Sequence, residues 1–185
     1  MCIYDKTVEI TYEKEMDLTL QVKNKNDDIL VEYTPREIKI EEYPNPAEAP
    51  NAPEDVMTNE ELYLIGLHIE QYRHATYEPD AYYLEGLKRD KGDSRINNAY
   101  GKLLMKRGLS KEAENYFRTA LKRLTAKNPN PYDSEPYYNL GLSLFYQDRR
   151  QEAYDAFYKA TWSNEQQEMS FYYLAAIDSW KGDYK

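Results

Sequence analysis

The residues suited to proton transfer or metal binding are few, and their spacing fits neither task. His68 and His74 lie six apart. On a helix that spacing puts them on different faces, whereas a helical zinc site wants ligands four apart and a third in view. Glu70 and His74 are four apart and can pair on one helix face, an arrangement common on protein surfaces. Cys2 is the single cysteine, which excludes an intrachain disulfide and a cysteine-based zinc site. There is no nucleophile motif and no glycine-rich phosphate loop. With 33 acidic residues in the chain, scattered Asp and Glu pairs do not single out an acid and a base. No catalytic, cofactor-binding or metal-binding residue is expected.

Charge narrows the partners. A net charge of -9 argues against duplex nucleic acid, whose affinity comes largely from Lys and Arg neutralising phosphates, and against an anionic membrane surface. No apolar run approaches the roughly 20 residues of a spanning helix. The start, MCIYDKTVEI, lacks the basic end and apolar core of a signal peptide, so a cytoplasmic protein is the expectation. The composition is best suited to contact, with 20 Tyr against four Phe and two Trp. An amphipathic ring suits surfaces half-buried between packed helices. It also suits recognition, where Tyr offers area at small entropic cost; both readings stand.

The elements that would carry such a surface are clearest over 134–165. Tyr137, Leu140 and Leu144 form one apolar stripe, and Ala153, Phe157 and Ala160 a second, as expected of two antiparallel helices. Gly141 and Ala153 are small where the helices would cross, so that Phe157 fills the space beside them. Such a hairpin cannot stand alone. Each buried large side chain yields roughly 1.5–3 kcal/mol, against about 1–2 kcal/mol for each backbone unit fixed. Copies must cover its faces, and Gly101, Leu104, Ala113, Phe117 and Ala120 repeat Gly141, Leu144, Ala153, Phe157 and Ala160 at a constant offset of 40. Phe171, Leu174, Ala175 and Gly182 match the first helix and turn again, with Ala175 lying 34 residues after Gly141.

These residues resemble the tetratricopeptide repeat family, whose period is about 34 residues. The motif is strong over 94–185 and weaker over 58–93. Asn97 stands where the motif prefers Trp, and the usual closing Pro is Thr125 in one unit and Glu165 in the next. The longer offset implies about six inserted residues relative to the usual period. The natural place is KNPNPYD (127–133), because Pro129 and Pro131 cannot continue a helix.

Upstream, residues 1–40 read as strands. Val8, Ile10 and Tyr12 alternate with polar residues, as do Leu18, Leu20 and Val22, and Ile29, Val31 and Tyr33; period two implies one buried face. NKNDD (24–28) fits a hairpin turn. So few strands make no adequate core, so the segment is expected to be the end of a larger β-domain or an appendage docked on the first helices. Residues 41–57, with Pro44, Pro46, Pro50 and Pro53, read as an extended linker. Thr58 and Glu61 form a capping box that opens the first helix. In 58–93, Tyr83 lies three before Gly86 as Phe117 lies before Ala120, the first half is one residue out of register, and Pro79 fits the first turn of the second helix. The remaining units are 94–133, 134–167 and a partial one, 168–185. The fold expected is mostly α: a tetratricopeptide helix-turn-helix solenoid of about three to three and a half repeats with a short N-terminal β-hairpin segment.

GLHIEQYRHATYEPDAYYLEGLKRDKGD, NPNPYDSEPYYNLGLS and AYDAFYKATW carry a further resemblance, to large bacterial proteins in which a carbohydrate-mutarotase-like β region of unknown function precedes such an array. It implies that the chain is an internal slice of such a protein, ending inside a repeat, with no sugar chemistry on its own residues.

In a tetratricopeptide stack the first helix of each unit lines the concave face. That places Arg95, Asn98, Lys102, Met105, Tyr138, Asn139, Leu142, Phe145, Tyr172 and Ala176 in the groove, each free alternatively to pack on a neighbouring repeat. Some family members clamp a partner's C-terminal carboxylate with Lys, Asn and Arg. Here only Asn139 and, loosely, Lys102 match, and Tyr172 and Tyr173 stand where cations would be needed. The function implied is a non-catalytic scaffold that holds a peptide or partner domain in the groove. The alternative is a structural or oligomerisation arm of a carbohydrate-active protein. Self-association through an exposed last half-repeat is a further expectation.

Overall fold

The computed structural model describes residues 6–36, 43, 48–72 and 76–182 of the 185. Cys2, Pro44, Pro46, His74 and the final DYK fall outside the described residues. The chain divides into two compact units, Met1–Glu48 and Ala49–Lys185.

In the first unit, β1 (Leu20–Lys23) and β2 (Ile29–Tyr33) form an antiparallel hairpin. Its turn is where the polar run implied. Asn24 Oδ1 accepts from the amides of Asn26 and Asp28 at 2.8 and 3.0 Å, and Asp27 takes φ +70°, as Asx-type turns allow. Two strand expectations fail. Val8–Tyr12 forms no strand, and the period-two apolar face is not buried: Leu20 lies opposite Tyr33 and Val22 opposite Val31, yet all four are exposed. Alternation made the two strands self-consistent without supplying a layer to cover them, and a two-stranded sheet has no interior of its own.

Among the described residues the second unit contains seven α-helices: α1 (Asn59–Tyr72), α2 (Pro79–Arg89), α3 (Ser94–Lys106), α4 (Ser110–Leu124), α5 (Glu135–Tyr146), α6 (Arg150–Ala160) and α7 (Asn164–Lys181). The capping box forms. Thr58 N donates to Glu61 Oε2 at 3.0 Å and Glu61 N to Thr58 Oγ1 at 3.2 Å, satisfying amides that the first turn leaves free. Asp93 caps α3 by accepting from the amides of Arg95 and Ile96. The Trp-to-Asn departure also has a use: buried Asn97 donates to the carbonyls of Lys91 and Asp93 at 3.0 and 2.7 Å and ties the α2–α3 turn.

Each hairpin crosses at a glycine. A Cβ on Gly66 would lie 2.5 Å from the Tyr83 ring, on Gly101 2.5 Å from Phe117 and on Gly141 2.7 Å from Phe157. Those distances are too short for any real side chain, so the three pairs are one contact repeated. All three rings are fully buried. The one-residue slip in the first unit is absorbed ahead of α2 and leaves the crossing intact. The α3–α4 and α5–α6 turns repeat as well: Leu109 N donates to Leu104 O and Arg149 N to Leu144 O, both at 3.0 Å. Gly108 (φ +79°) and Asp148 (φ +60°) hold the left-handed position in them.

Ahead of α1, residues 51–56, with a 3-10 turn at Pro53–Asp55, are anchored on α2. Arg89 donates to the carbonyls of Val56 (2.7 Å), Pro53 (3.2 Å) and Glu54 (3.3 Å), Tyr82 Oη donates to Asn51 O (2.9 Å), and Val56 is buried. At the other end, α7 buries Ser170, Leu174 and Ile177, but the matched residues Phe171 and Ala175 are exposed. No helix among the described residues crosses that face of α7.

Candidate functional site

The first helices of successive units touch one another, α1 with α3, α3 with α5 and α5 with α7, whereas α2, α4 and α6 share no comparable contact. Helices crowded on one side and splayed on the other curve the stack, so the inner face belongs to α1, α3, α5 and α7. The outer side is bridged by long side chains. Arg123 reaches Asp90 at 2.7 Å, and Arg107 grips Asp80 with two bonds of 2.6 and 2.7 Å. Nearly buried Glu114 accepts from Arg118 (2.7 Å), Gln147 (3.0 Å) and Arg149 (2.6 Å). Burial acts to raise the Glu114 pKa, but these donors prevail and hold it below the ordinary carboxylate value.

On the inner face the expected groove residues separate into two groups. The first is polar and internally matched. Arg95 is paired with Glu60 and lies 5.2 Å over the Tyr63 ring. Lys102 Nζ donates to Glu135 Oε1 at 2.7 Å, Asn98 Nδ2 donates to the other oxygen of Glu135, and Asn139 Nδ2 donates to Asn98 Oδ1 at 2.9 Å. Asn98 and Asn139 are buried. Lys106 is ion-paired with Glu70. Lys102 and Asn139, the two matches to a carboxylate clamp, are thus held by neighbouring repeats. Any anion entering here would displace Glu135 from its two α3 partners, Lys102 and Asn98.

The second group is aromatic. Tyr138 lies 5.8 Å from Phe157 and 6.2 Å from Tyr173. Tyr173 stacks on Phe157 at 4.8 Å and meets Phe145 edge-on at 5.2 Å, and Phe145 stacks on Trp180 at 5.3 Å. The half-buried rings of Tyr138, Phe145 and Tyr173 form a continuous floor, rimmed by exposed Tyr172 (64%), Tyr146 (65%) and Trp180 (56%). Burial first, then Tyr138 and Tyr146, pushes the Tyr173 phenol up to about 12. Arg150 lies 4.0 Å over the Trp180 ring. Leu142 and Met105 are half-buried against the core between the groups, and Ala176 is half-buried on α7.

Sequence reasoning missed Glu135, Tyr146 and Trp180, and weighed Tyr173 only as standing where a carboxylate clamp would need a cation. Glu135 had a signal: Glu60, Arg95 and Glu135 occupy equivalent first-turn positions with alternating charge. Trp180 lies outside the repeat motif and had none. The His68 ring lies 4.5 Å from the Tyr72 ring, tilted by 39°. Among the described residues there is no group of three or more His, Cys, Asp or Glu able to hold a metal ion, and no helix long and apolar enough to cross a membrane.

No family model matches the chain. It is similar to the solved structure of PilF from Pseudomonas aeruginosa, a protein containing tetratricopeptide repeats, with TM-score 0.55 and 20% identity over 68% of this chain. The match covers 54% of that structure, so the chain spans about half its length. The likeness concerns the fold: this is a tetratricopeptide-type helical solenoid preceded by a short β-hairpin.

Proposed function

We propose that the chain is a non-catalytic interaction scaffold whose partner, a peptide or an exposed segment of another protein, docks on the inner face at its α5–α7 end. The observation that carries this reading is the split just described. Arg95, Asn98, Lys102 and Asn139 are matched to Glu60, Glu135 and each other, whereas exposed Tyr172, Tyr146 and Trp180 surround a ring floor that no helix among the described residues covers. Exposed aromatic clusters of this kind mark contact surfaces. Apolar anchors and backbone hydrogen bonds, not charge, provide the affinity.

The division into a β segment (1–40), a connector (41–57) and an array (58–185) belongs to the same proposal. The alternative of a structural or oligomerisation arm of a carbohydrate-active protein draws support from sequence resemblance alone.

Selection from a displayed peptide library tests the proposal. Peptides with apolar anchors should be enriched, and Tyr138→Ala with Phe145→Ala should remove the enrichment with helicity unchanged. No enrichment over an unrelated helical protein would refute it.

A further inference from the structure

The insertion that lengthens one repeat builds something beside the helices. Between α4 and α5, residues 130–133 face the α6–α7 turn across a cavity of about 560 Å³, whose lining includes Asn130, Tyr132, Asp133, Trp162 and Glu165. The inserted wall is fastened at several points. Lys159 Nζ donates to Asn130 Oδ1 at 2.6 Å, the Glu135 amide donates to Asp133 Oδ1 at 2.9 Å, and Ser134 Oγ donates to the Ala160 carbonyl at 3.1 Å. The cavity shares no residue with the ring floor of the inner face.

Its chemistry is one-sided. Asp133 and Glu165 bring two carboxylates, and among the described residues no Lys, Arg or His lines the space. Carboxylates beside an aromatic face draw a cation twice, by charge and by the ring quadrupole. The chain itself displays that preference, since the Lys159 ammonium lies 4.0 Å from the Trp162 ring centroid. Lys159 does not line the cavity, so it steadies the ring without filling the space. Tyr132 lines the cavity and is almost fully exposed, which leaves its ring free to turn onto a bound group. A hard metal ion wants about six oxygen ligands, and an indole offers none. An alkylated ammonium fits better, because its carbon groups pack on rings and its diffuse charge needs no close ligand shell.

We propose that this cavity binds an organic ammonium group, with Trp162 and Tyr132 supplying ring faces and Asp133 and Glu165 the counter-charge. The group belongs either to a free amine or to a lysine side chain of another protein. The site is separate from the inner-face reading and stands or falls without it.

The test uses the full chain carrying Trp180→Phe, so that emission reports Trp162 alone, at constant ionic strength. Three probes are titrated: choline, the neutral alcohol in which carbon replaces the choline nitrogen, and the peptide Gly-Lys-Gly. A saturable change is expected with choline, with the peptide or with both, and none with the neutral alcohol. Response to choline alone assigns a free amine, and response to the peptide alone a lysine side chain. Glu165→Gln and Asp133→Asn, the latter keeping the oxygen that caps α5, should each weaken binding about fivefold or more. Equal binding of the neutral alcohol, no saturable response to either cation, or unchanged affinity in both variants overturns the proposal. The comparison of choline with its neutral counterpart needs no substitution in the cavity, so it decides the matter should either variant fold poorly.

Discussion

The two ends of the helical array solve the same exposure problem differently. At the first, residues 51–57, with a 3-10 turn at Pro53–Asp55, lie across the opening hairpin, clasped by Arg89 and Tyr82, and the inner face beside them is closed by Glu60–Arg95 and Glu70–Lys106 pairs. At the last, rings replace ion pairs, and Phe171, Tyr172 and Trp180 are left in solvent. Matched charges between repeats hold geometry but leave little for a partner to gain. Exposed rings hold less and leave more. The contrast separates a part of the stack that is finished from a part that is available.

Truncating the crossing rings is the most severe way to probe this contrast. Phe157→Ala should cost about 3–5 kcal/mol. Tyr83→Ala should cost at least as much, since the Tyr83 hydroxyl also bonds Glu70 at 3.2 Å. Urea unfolding followed by circular dichroism gives both numbers. A single transition in each variant means the ends fold as one unit, and two transitions would show that the difference between them extends to cooperativity.

Arg89→Ala addresses the closed end alone. It deletes the donors to the Val56, Pro53 and Glu54 carbonyls and should cost about 1–3 kcal/mol, with faster proteolysis within 49–57. Unchanged cleavage would mean the segment is held by Val56 and Tyr82 without the clasp.

Acid should weaken the outer bridges on both halves. Asp80 and Glu114 have lowered pKa values, Asp80 chiefly through its bonds from Arg107 and Glu114 through donors that outweigh burial. Their contribution is complete above the unfolded carboxylate value of about 4 and is lost as pH falls through the lower folded value. The urea midpoint should therefore drop in that acid range, and Glu114→Gln with Asp80→Asn should flatten the drop.

The smallest effect expected is a gain. Asp148 occupies the left-handed position that Gly108 fills 40 residues earlier, and Asp148→Gly should stabilise by about 0.5–1 kcal/mol, read as a rise in melting temperature.

The repeat architecture was legible because it rests on residue size at fixed spacing. Gly101 with Phe117 and Gly141 with Phe157 can be read without coordinates, since only small and large residues fit such a crossing. What escaped was polar and long-range. Arg89 bonds backbone carbonyls, which have no side-chain signature, so the segment it holds read as plain linker. Asn98, Asn139 and Glu135 read as groove lining or went unnoticed because their pairing depends on rotamers across two helices. Val8, Ile10 and Tyr12 alternate as a strand should, but alternation cannot say whether a neighbour exists to pair with.

The inserted loop at 127–133 has a practical consequence. Gly66 and Gly101 are 35 residues apart and Gly101 and Gly141 are 40, yet their crossings are alike, so spare length is taken up outside the hairpins. Tyr132 in that loop is 98% exposed, and Lys159 bonds Asn130 at 2.6 Å. A fluorophore, epitope or protease site spliced beside Tyr132 would ride on the outside of the helical register, giving a reporter handle that leaves the stack undisturbed.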